Sequence, residues 1–165
     1  MTTIAYKDGV LAADGQITTG TLIHALDYQK IHIVEKGTHF YRGQPQNTRK
    51  LLVGSVGDSC WGRRFRIWVE DGGAMGGTIP KPEDDKGWLG FTIAPDGNLQ
   101  EYTHWGMIEY KTPNEMAWGS GREIAAGALI AGASAEEAVR IAAQKDTLTG
   151  GEITVLRLSD IQPTP

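Results

Sequence analysis

Cysteine is almost missing from this chain: Cys60 is the only one among 165 residues. A single cysteine excludes an intrachain disulfide framework and any multi-cysteine zinc site. Long apolar runs are missing too, and no stretch approaches the ~20 residues that span a bilayer. The opening Met1-Thr2-Thr3-Ile4-Ala5-Tyr6 lacks the basic and then apolar regions of a secretory signal. Positive charge is outweighed, 16 lysines and arginines against 20 aspartates and glutamates, for a formal net charge of −4. That balance argues against the basic footprint of nucleic-acid binding and against a polybasic membrane anchor. His24, His32, His39 and His104 show no zinc-ligand spacing. The expectation is therefore a cytoplasmic protein with no metal, no cofactor, no nucleic acid and no membrane among its partners.

What is present is an ordinary foldable composition, 40% hydrophobic and 22% charged. Its length suits one domain with its own core, expected over residues 2–160 with a flexible tail over 161–165. Glycine is in excess: 22 of 165 residues, roughly 13% against a usual ~7%. Such an excess predicts many turns and close backbone approaches.

The first signal along the chain is a hairpin, Thr2–Tyr6 and Val10–Ala13 around the Asp8-Gly9 turn. Alternation through Ile31 and Ile33 predicts a strand over Tyr28–Glu35, and Lys50–Val56 predicts a buried one. Asp58 and Ser59 are both candidate caps for a helix over Cys60–Val69. The glycines and prolines of 72–87 predict an irregular excursion. Leu89–Ala94 and Leu99–Tyr102, around Pro95-Asp96-Gly97-Asn98, predict a second hairpin. Arg122–Ala131 predicts a helix ending at Gly132. Ser134 and Glu137 have capping-box spacing at the head of another helix, and Ile153–Leu156 predicts a last strand. This order points to an antiparallel-rich α+β or layered αββα domain.

Chemistry concentrates near the start. A small residue after Met1 favours removal of the methionine, which exposes Thr2. An N-terminal threonine holds a nucleophilic hydroxyl beside its own α-amine, whose ordinary pKa of ~7.7–8.0 leaves a neutral fraction at pH 7. Asp14 lies in the Asp14-Gly15-Gln16 turn, and Lys30 follows 30 − 14 = 16 residues later. A buried lysine beside the nucleophile would polarise the hydroxyl, with the carboxylate holding the lysine. The plainer reading is two solvated charges. Cys60, near the start of a helix, reads either as a thiol of lowered pKa or as a buried structural cysteine. Trp61 and Trp68 read as packing residues, and Glu83-Asp84-Asp85 as a solvated loop face.

Thr2-Thr3-Ile4-Ala5, Ala13-Asp14-Gly15-Gln16, Gly20 and Lys30 together resemble the start of a proteasome β-type subunit. They are closest to the HslV-like peptidase of the bacterial two-component heat-shock protease. The resemblance continues through Val56-Gly57-Asp58 and Gly119-Ser120-Gly121. It ends in Asp146-Thr147-Leu148-Thr149-Gly150-Gly151, where Thr149 stands for the family's serine. It implies an N-terminal-nucleophile hydrolase with a four-layer αββα sandwich.

The implied roles are a threonine peptidase's. Thr2 attacks, Lys30 assists deprotonation, Asp14 orients Lys30, Gly57 N–H binds the oxyanion, and Ser120, Asp146 and Thr149 fix the amine. The implied substrate is a peptide or unfolded protein, and the implied assembly a homo-oligomeric ring with an ATPase or other activator. Two departures stand out: an inserted hairpin over His39–Arg49, and the 72–87 excursion in place of a second outer helix, which reduces one outer layer. Two other readings remain open, a non-catalytic ring-forming scaffold on the same fold and a small-molecule amidase of the same superfamily.

Overall fold

The computed structural model describes residues 1–37, 40–41, 44–45, 49–73, 78–80 and 87–163. They form two compact units, Met1–Ile31 with Asn114–Arg157, and His32–Pro113 with Leu158–Pro165. Each combines an antiparallel sheet with helices, so the protein is α+β.

The first unit begins as its sequence dictates. Strands β1 (Thr3–Lys7) and β2 (Val10–Ala13) pair antiparallel, with Ile4 opposite Ala13 and Lys7 opposite Val10. Asp8 and Gly9 have φ of 49° and 76°, the two positive values that a two-residue hairpin turn of matching twist requires. A small hairpin follows, β3 (Ile17–Thr19) and β4 (Leu22–Ala25). Its side chains are largely exposed, which is why no burial alternation announces it. Further along, β12 (Glu115–Gly119) and β13 (Thr154–Arg157) complete a sheet of order β12-β1-β2-β13.

Two helices cover one face of this sheet, α2 (Arg122–Ile130) and α3 (Ala135–Ala142). Their buried side chains, Ala125, Leu129, Ala135, Ala138, Val139 and Ala142, meet Ala5 and Ala12. Alanine dominates both sides, so the helices approach the strands closely and small losses of fit are felt. The expected capping box is present: Ser134 Oγ accepts the Glu137 N–H at 3.2 Å, and Glu137 Oε2 accepts the Ser134 N–H at 2.9 Å.

The second unit holds a five-stranded sheet of order β11-β10-β9-β8-β5. Its strands are β5 (Ile31–Gly37), β8 (Arg49–Val56), β9 (Leu89–Ile93), β10 (Leu99–Thr103) and β11 (Gly106–Tyr110). β5 starts at Ile31, three residues later than its sequence suggests, so Lys30 stands just before a strand. Between β5 and β8, β6 (Phe40–Tyr41) pairs antiparallel with β7 (Gln44–Pro45), while residues 38–39, 42–43 and 46–48 of the expected His39–Arg49 hairpin and its approach lie outside the described residues.

Helix α1 (Ser59–Glu70) lies on this sheet. Asp58 is its N-cap and accepts the Trp61 N–H at 2.9 Å. Trp61, Phe65 and Val69, at i, i+4 and i+8, turn one stripe inward onto Leu51, Val53, Trp88 and Tyr102. Each such side chain contributes about 1.5–3 kcal/mol by leaving water. Trp61 stacks on Phe65 at 5.3 Å between centroids and tilts against Trp88 at 3.9 Å. Both expected packing tryptophans thus pack. Cys60 is exposed rather than buried.

Much of the 72–87 excursion, including Glu83-Asp84-Asp85, lies outside the described residues. Its described part forms no α-helix, and Pro80 O accepts the Trp61 indole N–H at 2.6 Å. Of the tail expected over 161–165, Ile161 is buried in a 3-10 turn (Leu158–Ile161) and Gln162 Nε2 donates to Pro95 O at 2.7 Å. Residues 164–165 lie outside the described residues. Among the described residues no helix is long and apolar enough to cross a membrane.

Candidate active site

Six of the seven residues singled out in the sequence belong to the first unit, where backbone pairing gathers them. Thr2 precedes β1, Asp14 follows β2, and Lys30 precedes β5. Ser120 lies in the turn from β12 to α2, and Asp146 and Thr149 lie in the loop from α3 to β13. The ladders extend into the site: Asp14 N–H donates to Thr3 O at 3.1 Å, and Ser120 N–H donates to Thr2 O at 2.8 Å.

Asp14 is buried and fully engaged. Its Oδ1 accepts from Lys30 Nζ at 2.8 Å and from the Thr3 N–H at 2.7 Å. Its Oδ2 accepts the N–H groups of Gln16 at 3.2 Å and Gly150 at 3.1 Å. The Lys30 and Asp14 side chains are only 3% and 0% exposed, so they are no pair of solvated charges. A buried carboxylate needs such partners, since an uncompensated buried charge is costly. Lys30 Nζ makes a further bond, 3.0 Å to the carbonyl of Met1. The lysine is therefore held on the peptide group that joins Met1 to Thr2.

Burial pushes the Lys30 ammonium below its ordinary range, while the charge and hydrogen bond of Asp14 pull it back up. The α-amine of Met1 is lowered as well, first by burial and then by Lys30, with Asp14 and Asp146 opposing.

A second hydrogen-bond system centres on Asp146. Asp146 Oδ2 accepts from Ser120 Oγ at 2.6 Å and from Thr149 Oγ1 at 2.5 Å, and its Oδ1 accepts the Leu148 N–H at 3.1 Å. Burial pushes the Asp146 carboxyl up, but Ser120, Thr149 and Leu148 together hold it below its usual value. Thr149 thus places its hydroxyl on the Asp146 carboxylate.

One glycine is indispensable to this geometry. Gly119 has φ of 97°, and a Cβ there would lie 1.7 Å from Thr2 O. It pairs with Thr3 across the β1–β12 ladder, so a side chain would occupy the place of the backbone that precedes β1.

No protein-family model matches the chain, and no curated protein matches it by sequence. Solved structures do match along nearly its whole length. Thiobacillus denitrificans BPH is 22% identical with a TM-score of 0.57, covering 95% of this chain and 97% of that one. The same protein in complex with epoxomicin gives 20% and 0.59, covering 95% and 98%. Eukaryotic HslV from Trypanosoma brucei gives 16% and 0.62, covering 94% and 98%. The fold is of the proteasome and HslV type.

Within this HslV-type fold, two buried residues matter that residue-by-residue reading passed over. Thr3 is fully buried, and its Oγ1 accepts the Gly121 N–H at 3.0 Å and lies 2.5 Å from Thr149 Oγ1. Gln16 is 4% exposed and donates through Nε2 to Thr147 O at 2.9 Å, tying the Asp14 turn to the loop that carries Asp146. A run of Thr2-Thr3 draws attention to the first hydroxyl only. The signal for Thr3 was its β-strand position, two residues from an inward apolar Ala5. Gly57, the seventh residue, belongs to the second unit, in the turn from β8 to α1 with φ of 105°.

Proposed function

We propose that this protein is a proteasome-like threonine peptidase that hydrolyses peptide bonds through the Thr2 hydroxyl once Met1 is removed. The observation that carries the reading is Lys30: buried, paired with Asp14, and bonded to the peptide group directly before Thr2. A buried cation aimed at that point stabilises negative charge developing on the neighbouring hydroxyl oxygen.

In the proposed reaction, Thr2 Oγ attacks the carbonyl carbon of the scissile peptide bond, and its proton passes to the Thr2 α-amine. The tetrahedral intermediate collapses as that proton moves to the leaving nitrogen and the C–N bond breaks, leaving an ester on Thr2. Water then attacks the ester carbonyl, its proton returns through the amine to Thr2 Oγ, and the acid product departs. Asp146, Ser120 and Thr149 hold the amine, with Ser120 already bonded to the Thr2 backbone. Gly57 N–H is assigned to the oxyanion by resemblance, a donor of the kind worth about 3 kcal/mol.

The same reading includes a peptide or unfolded protein as substrate and a homo-oligomeric ring that an ATPase or other activator serves.

The test is one preparation measured three ways. Intact mass is expected to lack residue 1, light scattering to give a multiple of the 17.9 kDa chain, and small fluorogenic peptides to be cleaved. Thr2→Ala is expected to abolish cleavage while circular dichroism stays unchanged. Cleavage of small amides but not of peptides would reassign the protein as an amidase. A processed, assembled but inert protein would make it a scaffold.

A further inference from the structure

We propose that Thr3, the residue after the candidate nucleophile, is a positioning residue whose backbone holds Asp14 and whose hydroxyl, through Thr149, holds Asp146. The inference rests on the peptidase reading for its kinetic consequence but not for its geometry.

Counting hydrogens makes the hydroxyl chain directional. Thr149 Oγ1 has one hydrogen and two close oxygen neighbours, Asp146 Oδ2 at 2.5 Å and Thr3 Oγ1 at 2.5 Å. An ionised carboxylate only accepts, so the hydrogen of Thr149 goes to Asp146. Thr3 must then donate its own hydrogen to Thr149. A lone pair of Thr3 Oγ1 is taken by the Gly121 N–H at 3.0 Å. The chain runs from Gly121 N–H to Thr3, from Thr3 to Thr149, and from Thr149 to Asp146, with every donor used.

The backbone of Thr3 serves the other carboxylate. Its N–H meets Asp14 Oδ1 at 2.7 Å, and its carbonyl accepts the Asp14 N–H at 3.1 Å. Thr3 is thus bonded directly to Asp14 and, through Thr149, to Asp146. The side chain is fully buried, so water cannot replace a lost partner there. A β-branched residue also keeps few rotamers in a strand, which holds Oγ1 in line without further support.

The experiment uses the full chain with Thr3→Val and Thr3→Ser. Thr3→Val keeps the shape and removes the hydroxyl. Its kcat on a small fluorogenic peptide is expected to fall about tenfold, the rate equivalent of one lost hydrogen bond. KM is expected to stay within about twofold, because Thr3 is buried and offers no surface to substrate. The acid limb of kcat against pH is expected to move to higher pH, and Thr3→Ser is expected to regain most of the rate. Carbon-13 NMR of the Asp146 carboxyl gives a readout that needs no activity: Thr3→Val is expected to raise the pH at which it titrates.

A Thr3→Val enzyme with unchanged kcat, acid limb and Asp146 titration overturns the proposal. So does a Thr3→Ser enzyme as impaired as Thr3→Val. If the wild type cleaves no peptide, the peptidase reading fails and the Asp146 titration alone still decides the role of Thr3. Should Thr3→Val fail to fold, Thr3→Ala, which also removes the hydroxyl, is expected to show the same shifts of acid limb and Asp146 titration. A folded Thr3→Ala protein with wild-type titration and acid limb would overturn the role.

Discussion

Lys30 Nζ lies 2.8 Å from Asp14 Oδ1, with both side chains withdrawn from solvent. An ion pair in such a place is asymmetric in its energetics. Removing both charges is tolerable, whereas removing one strands the other in a low-dielectric interior. Asp14→Asn or Lys30→Met alone is therefore expected to cost about 3–5 kcal/mol. The double variant is expected to cost clearly less than the sum of the two, measured as the shift in urea midpoint at constant m-value. Simple additivity would mean that the pair is not coupled as the distances indicate.

Glycine substitutions separate two kinds of site. Gly119→Ala puts a methyl 1.7 Å from Thr2 O at a positive φ, so its cost is expected to exceed the ~1–3 kcal/mol of backbone strain alone. Gly127 is different. It lies inside α2, is exposed, and a Cβ there meets nothing within 4 Å. Gly127→Ala is expected to stabilise the fold by about 0.5–1 kcal/mol. Thermal or chemical unfolding of the two variants checks both signs, and a stabilising Gly119→Ala would contradict the close approach described above.

The depressed Asp146 carboxyl makes stability depend on pH in a definite direction. In the unfolded chain it binds its proton at the ordinary aspartate value, and in the folded chain only at lower pH. Its contribution is thus fully present above the ordinary value and is lost as pH falls through the lower, folded one. Unfolding of the wild type and of Asp146→Asn, followed from neutral pH into acid, is expected to converge over that interval. A gap between them that stays constant with pH would show that the hydrogen bonds of Ser120 and Thr149 do not depend on ionisation.

Local features were readable where local physics decides them. Asp8-Gly9 specifies a turn because two positive φ values suit few other dipeptides, and Ser134 with Glu137 specifies a helix start because three-residue spacing closes both bonds. Features that depend on a partner were not readable. β12 has no strong alternation of its own and becomes a strand by pairing with β1, and β3 and β4 carry exposed apolar residues without a buried face to mark them. The cap of α1 was open between Asp58 and Ser59, and only the geometry chose Asp58.

The candidate site divides in the same way. Residue types and spacing drew attention to Thr2, Asp14 and Lys30, because a hydroxyl, its amine, a lysine and a carboxylate are what this chemistry needs, whereas Ser120, Asp146 and Thr149 came from the resemblance to proteasome β-type subunits. Tertiary structure decided that Asp14 and Lys30 are a buried pair rather than two surface charges, since burial is a property of the surroundings and not of the residues. It also decided that Thr3 ties the chain's first strand to a loop some 149 − 3 = 146 residues away. No spacing rule reaches that far; the contact exists because β1 pairs with β12 and the loop after α3 brings the Thr149 hydroxyl onto that of Thr3.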